Sequence, residues 1–178
     1  MEDFATGCTG AMTFVIADLH FGDQTICKKR THASSTGRPF ATAREMEIEI
    51  VRRWNSVVHK DDIVYILGDL GRLSRIDAVG GLTGRKHLVA GNGDNLRAIA
   101  KAGYFQTISV ARWLPGCLLT HIPVHPSQLR GRMINVHGHL HSAKIDDRRY
   151  RCVSVEQTGY EPVRLDILLA GSRHAVPI

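Results

Sequence analysis

The chain has 178 residues, 43% of them apolar, with a mean hydropathy of −0.11, values that fit one globular domain (residues 1–178) around a single core. They exclude a chain too polar to fold and, with no long apolar run, one that spans a membrane. Lysine plus arginine number 23 against 17 aspartate plus glutamate, giving +6 before any of the 10 histidines is counted, so the expected partner is anionic.

Residues Met1–Gly10 precede a first strand expected at roughly Met12–Ala17. The start Met1-Glu-Asp-Phe4 lacks the basic-then-apolar pattern of a signal peptide, so the expected location is cytoplasmic, with no membrane partner. Residues Phe21–Phe40 show no clean period and read as a long loop, a length that in a compact domain marks function or disorder. Thr42-Ala-Arg-Glu45 has capping-box spacing and opens a helix with Met46, Ile50, Trp54, Val57 and Val58 on one face, Ala43 and Val51 beside it. After the turn Lys60-Asp-Asp62, a short apolar run from Ile63 stops at Gly68-Asp69, the mark of a buried strand. Ser74-Arg-Ile-Asp77 reads as the cap of a short helix ending at Gly80-Gly81, followed by a strand at Lys86–Ala90. Asp94 or Asn95 then caps a helix with Leu96, Ile99 and Ala100 inward, closed by Gly103. The order βαβαβα to this point predicts a layered α/β fold. Beyond it, Gln106–Arg112 and Cys117–Thr120 flank a hairpin turn at Leu114-Pro-Gly116. Strands follow near Met133–Val136, Tyr150–Ser154 and Val163–Leu168, the last with a short helix as its alternative. Cys8, Cys27, Cys117 and Cys152 form no CxxC pair and read as buried thiols, not as a disulfide framework.

Five apolar runs end on residues that can hold metal: Asp18-Leu-His20, Gly68-Asp69, Gly91-Asn-Gly-Asp94, His121 and His137-Gly-His-Leu-His141. Each alone reads as turn chemistry or a surface histidine. Together, all at strand exits, they read as one site with Asp69 at its hub. In Asp18-x-His20 and His139-x-His141 the paired residues are two apart, so in extended backbone both side chains point the same way. Carboxylates, imidazoles and the Asn92 amide make a mixed oxygen and nitrogen set suited to Mn, Fe, Zn or Ni. No cysteine stands among them, which argues against a closed structural zinc site.

These residues resemble the calcineurin-like metallophosphoesterases, whose pattern is D-x-H, G-D, G-N-[HC]-D, a lone His and G-H-x-H. The match runs from residue 14 to 141, and Arg38-Pro-Phe40, Trp54-Asn55 and Val64–Leu70 are similar to a small bacterial and phage branch. The resemblance implies a four-layer α/β/β/α sandwich, two mixed sheets flanked by helices. It implies two divalent metal ions, Mn first, with Fe, Zn, Ni or Mg as alternatives. Asp18, His20, Asp69 and His141 would hold one ion, and Asp69, Asn92, His121 and His139 the other, with Asp69 bridging. Such a pair lowers the pKa of a bridging water, and the resulting hydroxide attacks phosphorus in line without a protein nucleophile. His137 falls outside the pattern and reads as a core or supporting residue.

One departure bears on substrate. The family carries a histidine after the asparagine, placed to protonate the leaving oxygen, where this chain has Gly93. General acid catalysis contributes typically ~10²–10⁴-fold, so good leaving groups are expected to be favoured over alkyl monoesters. His125 is the candidate replacement donor, and His32 a second. Asn92 and Asp94 complete the expected catalytic set, Asp94 either orienting a metal-bound group or capping the next helix. Arg38 and Arg72 are the candidate phosphate contacts, and Asp23 stands where this branch often has a further histidine. The leading expectation is a phosphodiesterase acting on small, cyclic nucleotides first. The alternatives are a nuclease using Lys28-Lys-Arg30, Arg52-Arg53 and Arg148-Arg-Tyr-Arg151 along a nucleic-acid backbone, and a metal-binding scaffold that has lost the chemistry.

Overall fold

The structure is a computed structural model and describes residues 10–28 and 37–170. Cys8, Lys29, Arg30 and His32 lie outside the described residues. Two mixed sheets form the body. In the first, order β4-β3-β2-β1-β9, strands β1 (Thr13–Ile16), β2 (Ile63–Ile66), β3 (Arg85–Val89) and β4 (Thr107–Ser109) are parallel. Strand β9 (Val163–Arg164) pairs antiparallel with β1. In the second sheet, β5 (Ala111–Leu114) is antiparallel to β6 (Cys117–Thr120), which runs parallel with β7 (Ile134–His137) and β8 (Tyr150–Cys152).

Both faces of the central strands are covered, which is why they read as continuous apolar runs instead of alternating ones. Phe14, Ile16, Val64, Ile66 and Leu88 face helices α1 (Gln24–Lys28), α2 (Ala43–Val57) and α3 (Leu96–Ala102), with a 3₁₀ helix at Leu73–Gly81. Val15, Ala17, Tyr65, Leu67 and Val89 meet Cys117, Leu119, Val136 and Val153 between the sheets, where Leu165 of α5 (Leu165–Ala170) also packs. The outer face of the second sheet, with Leu118 and Tyr150, is covered by Leu129, Val124 and Met133 of a loop holding one 3₁₀ turn, Pro126–Gln128. Among the described residues no helix is long and apolar enough to cross a membrane.

Helix α2 follows its sequence signals. Thr42 Oγ1 accepts from Glu45 N at 3.1 Å, and Glu45 Oε2 returns the bond to Ala41 N at 3.1 Å, one residue before the cap. Met46, Ile50 and Trp54 are fully buried, and Trp54 Nε1 donates to the Thr83 carbonyl at 2.9 Å.

Elsewhere the structure corrects the expectation. The Phe21–Phe40 loop contains α1, whose Ile26 and Cys27 turn into the core. Ser74 caps nothing; the 3₁₀ helix begins after Arg72 without a side-chain cap. Asn95, not Asp94, caps α3 by accepting from Ala98 N at 3.1 Å. This two-turn helix sinks only Ile99 into the core, leaving Leu96 and Ala100 exposed. The run Gln106–Arg112 is divided at Val110 into β4 and β5, which belong to different sheets. Residues 163–168 likewise split between β9 and α5. Cys27 and Cys117 are buried free thiols as expected, and Cys152 is half-buried and free.

Parallel pairing brings the carboxyl ends of β1, β2 and β3 to one edge, and those of β6, β7 and β8 to one edge of the second sheet. Ala17 N donates to Val153 O at 2.9 Å and so joins the two edges, while Asp18 N to Gly68 O at 3.0 Å and Gly138 N to His121 O at 2.9 Å tie neighbouring exits within each sheet.

Candidate metal centre

The residues after these strands turn sharply. Asp18, His20, Asp69, His139 and His141 have φ between 50° and 69°, and Tyr160 is the remaining non-glycine residue with positive φ among the described residues. Non-glycine residues in this left-handed region carry a cost of roughly 1–2 kcal/mol each, and such strain gathers at functional sites. The expectation of extended backbone through Asp18-x-His20 and His139-x-His141 is therefore corrected: these four residues sit in left-handed turns, not in extended strand.

Asp18 is fully buried. Its Oδ2 accepts from Ser154 Oγ at 2.6 Å and His139 N at 2.9 Å, whereas Oδ1 has no hydrogen-bond partner among the described residues. Burial pushes its carboxyl above the ordinary range, against the pull of His141, Ser154 and His121. His20 Nε2 is likewise buried and unpartnered, 4.0 Å from Asp18 Oδ1 and 3.6 Å from Asp69 Oδ2. Burial, with the charge of Arg38, brings His20 down to about 4, so the ring is neutral and offers a lone pair.

Asp69 faces both ways. Its Oδ2 looks to His20, while Oδ1 accepts from Gly93 N at 2.9 Å and lies 3.6 Å from His121 Nε2. Its loop is held by Asp94, whose carboxylate accepts from the backbone N–H of Asp69, Leu70 and Gly91 at 3.1, 2.9 and 2.8 Å. Gly68 lets the two loops touch: a Cβ there would sit 2.5 Å from Gly91 N and Cα.

Two of the candidate histidines, His121 and His141, have their Nδ1 fixed. His121 Nδ1 lies 2.8 Å from the Leu67 carbonyl, which can only accept, so Nε2 carries the lone pair of the neutral ring. That lone pair looks toward Asn92 Oδ1 at 2.9 Å and Asp69 Oδ1 at 3.6 Å, oxygens that a shared cation would draw together. His141 Nδ1 pairs with Glu156 Oε1 at 2.9 Å, which frees its Nε2. Burial pushes the Glu156 carboxyl up, but His141 and Arg38 outweigh it and hold the group at about 2. Ring centroids lie 5.2 Å apart for His20 and His141, and 5.1 Å for His121 and His139.

Donor atoms of Asp18, His20 and His141 all lie within 4.8 Å of one another, as do those of Asp18, Asp69 and His121. Asp18 approaches His121 through Nδ1, at 4.0 Å, and that nitrogen is already spent on Leu67. The open side of His121 faces Asp69 and Asn92, so the second set is better taken from those residues. The orphaned Asp18 Oδ1 and His20 Nε2, with the surrounding oxygen and imidazole donors, fit divalent first-row metal ions.

The other expected residues fall elsewhere. Arg38 is not a phosphate contact: its guanidinium is buried and spent on Glu156 Oε1 and the carbonyls of Asp18 and Leu19. Asp94 neither caps α3 nor reaches toward a reacting group, being saturated by backbone donors. Arg72 is exposed at the rim, 3.2 Å from Asp23, whose other oxygen lies 3.8 Å from His20 Nδ1. His125 is exposed, with Nδ1 2.8 Å from Ser127 Oγ at the start of the 3₁₀ turn. His137 is buried against the Gly138 carbonyl, as a core residue should be.

Two participants were missed, Ser154 and Glu156, both at the exit of β8 into α4 (Val155–Thr158). The rule that found the other five exits, a strand closing on polar residues, finds this sixth one too. A cavity of about 470 Å³, lined by Lys144, Arg148, Arg151, Tyr150, Cys152 and Gln157 among others, adjoins the centre through Gln157 Nε2, which donates to the His141 carbonyl at 2.8 Å.

No protein-family model matches the sequence. The chain is 31% identical over 173 residues to the uncharacterized protein MJ1445 of Methanocaldococcus jannaschii, covering 88% of each. It is 28% identical over 174 residues to the gene 66 protein of Mycobacterium phage L5, covering 76% of this chain and 80% of the phage protein. The crystal structure of AQ665, a protein of unknown function from Aquifex aeolicus, superposes with a TM-score of 0.65 at 24% identity, covering 89% of this chain and 98% of that one, a likeness of fold.

Proposed function

We propose that this chain, which belongs to one family with the Methanocaldococcus jannaschii protein, is a binuclear metal-dependent phosphoesterase of the calcineurin-like metallophosphoesterase type, cleaving small phosphodiesters. The single observation carrying this reading is the placement of Asp69, with one oxygen 3.6 Å from His20 Nε2 and the other 3.6 Å from His121 Nε2, beside the orphaned Asp18 Oδ1. Asp18, His20 and His141 would hold one ion, Asn92, His121 and His139 the other, and Asp69 both. When bound, two divalent ions supply an acidified water and positive charge against the phosphoryl oxygens. Mn is the first choice for this oxygen and imidazole set.

The chain's own part is to position and to exclude. Asp94 and Gly93 fix Asp69, the Leu67 carbonyl fixes His121, and Glu156 fixes His141, so the donors are set before substrate arrives. No imidazole stands at Gly93, so a departing alkoxide has no proton donor from that position. Esters whose leaving group departs as a stable anion, such as aryl diesters and strained cyclic nucleotides, are then favoured over alkyl monoesters. A small substrate is preferred to a nucleic acid because Arg52 and Arg53 pair with Glu49, and Arg149 pairs with Asp147, which breaks up a basic track.

The test is a panel assayed with Mn²⁺: aryl mono- and diesters, 2′,3′- and 3′,5′-cyclic nucleotides and single-stranded DNA, with Asp69→Asn as control. Hydrolysis of diesters by the wild type alone supports the reading. No hydrolysis of any member, or equal turnover by Asp69→Asn, overturns it.

A further inference from the structure

One buried ion pair serves three of the candidate ligands at once. Arg38 and Glu156 lie 118 positions apart in sequence, and their side chains are 1% and 11% exposed. Arg38 Nε donates to Glu156 Oε1 at 2.9 Å, and the same oxygen meets His141 Nδ1 at 2.9 Å. The other end of the guanidinium donates to the carbonyls of Asp18, at 2.6 Å, and Leu19, at 3.0 Å. These carbonyls belong to the strained turn that carries Asp18 and His20, with φ of 60° and 50°. The pair thus holds the backbone presenting Asp18 and His20 and orients the ring of His141.

The other ligand set is held differently. His121 is fixed by the Leu67 carbonyl, and Asp69 by Gly93 and Asp94. Among the described residues, no hydrogen bond joins Arg38 or Glu156 to Asn92, His121 or His139. Among the described residues Glu156 Oε2 is buried without a partner, and Arg38 and His141 carry the hydrogen bonding of this carboxylate.

Resting on the two-ion reading above, we propose that Arg38 and Glu156 are positioning residues for one ion only, the one between Asp18, His20 and His141, and that the second ion is independent of them. Partners of metal-bound histidines typically contribute 10–100-fold in affinity. Glu156→Gln keeps the size and an acceptor for His141 but removes the charge, and Arg38→Met removes the clamp from the opposite side.

Equilibrium dialysis of the full chain against Mn²⁺, with Co²⁺ visible spectra as a second readout, tests this. The wild type is expected to take up two ions per chain in two resolvable steps. Glu156→Gln and Arg38→Met should weaken the same step, by about 10–100-fold, and leave the other unchanged. Asn92→Ala should weaken the complementary step. In Co²⁺ spectra, Glu156→Gln should alter the bands of one ion alone. Equal weakening of both steps, no weakening, or weakening of the same step by Glu156→Gln and Asn92→Ala overturns the proposal while leaving the two-ion reading intact. A wild type that takes up no ions overturns both. Should Arg38→Met fail to fold, the near-isosteric Glu156→Gln decides the question.

Discussion

Removing Arg38 should destabilise the metal-free fold more than most single substitutions. In Arg38→Met the Glu156 carboxylate keeps its buried position but loses its guanidinium, and the buried Asp18 and Leu19 carbonyls each lose a donor. Breaking one side of a buried ion pair costs about 3–5 kcal/mol, and an unmet buried polar group about 1–3 kcal/mol; since these overlap, about 4 kcal/mol is expected. For a chain of this size that lowers Tm by roughly 8–16 °C. Calorimetry on chelator-treated protein, with urea unfolding followed by circular dichroism, measures it. The double variant Arg38→Met/Glu156→Leu removes both charges and should be more stable than Arg38→Met alone, a coupling that a double-mutant cycle reads directly. The pH dependence carries the same signature. Glu156 is held at about 2 against an ordinary 4.5, so its folded pKa is depressed. Its contribution is complete above pH 4.5 and is lost as pH falls toward 2, and that loss should be smaller in Arg38→Met. A destabilisation below about 1 kcal/mol, or a double variant as unstable as the sum of the singles, refutes the reasoning.

Two glycines with similar φ should respond very differently to alanine. Gly68→Ala, at φ 82°, drives a Cβ to 2.5 Å from Gly91 backbone and should cost well over 2 kcal/mol by urea unfolding; Gly103→Ala, at φ 72° with nothing within 4 Å, should cost only about 1 kcal/mol. Equal costs would mean that loop contact at the site matters little. Gly93→His should raise turnover of alkyl phosphoesters by up to ~10²–10⁴-fold with little change for aryl diesters. Its Cβ would approach Asp69 Oδ1 at 3.1 Å, a contact that small shifts relieve. Uniform gains across both classes in a leaving-group series would contradict the missing-donor argument.

What the sequence discloses here is chemistry placed at element ends. The five strand exits and the α2 cap and stripe are legible because each depends on neighbours a few residues away, through capping, helical period or a run of apolar residues. The fate of Arg38 is not, since its partner Glu156 lies 118 positions off and only the fold brings them together. In isolation an arginine in a polar loop reads as a surface charge. The division at Val110 is hidden for another reason: one uninterrupted β-forming run supplies strands to two sheets, and nothing local marks the change. Leu96 misled because apolar spacing suggests a buried face even in a helix too short to bury more than Ile99. The left-handed turns at Asp18, His20, His139 and His141 are equally unreadable from composition, since aspartate and histidine tolerate that conformation better than most residues yet adopt it at only a small share of their positions.

Anomalous diffraction from crystals soaked in Mn²⁺ tests the centre itself. Two peaks per chain are expected, one among Asp18, His20 and His141 and one among Asn92, His121 and His139, with Asp69 touching both. A single peak, or ions bound away from Asp69, would contradict the two-ion account.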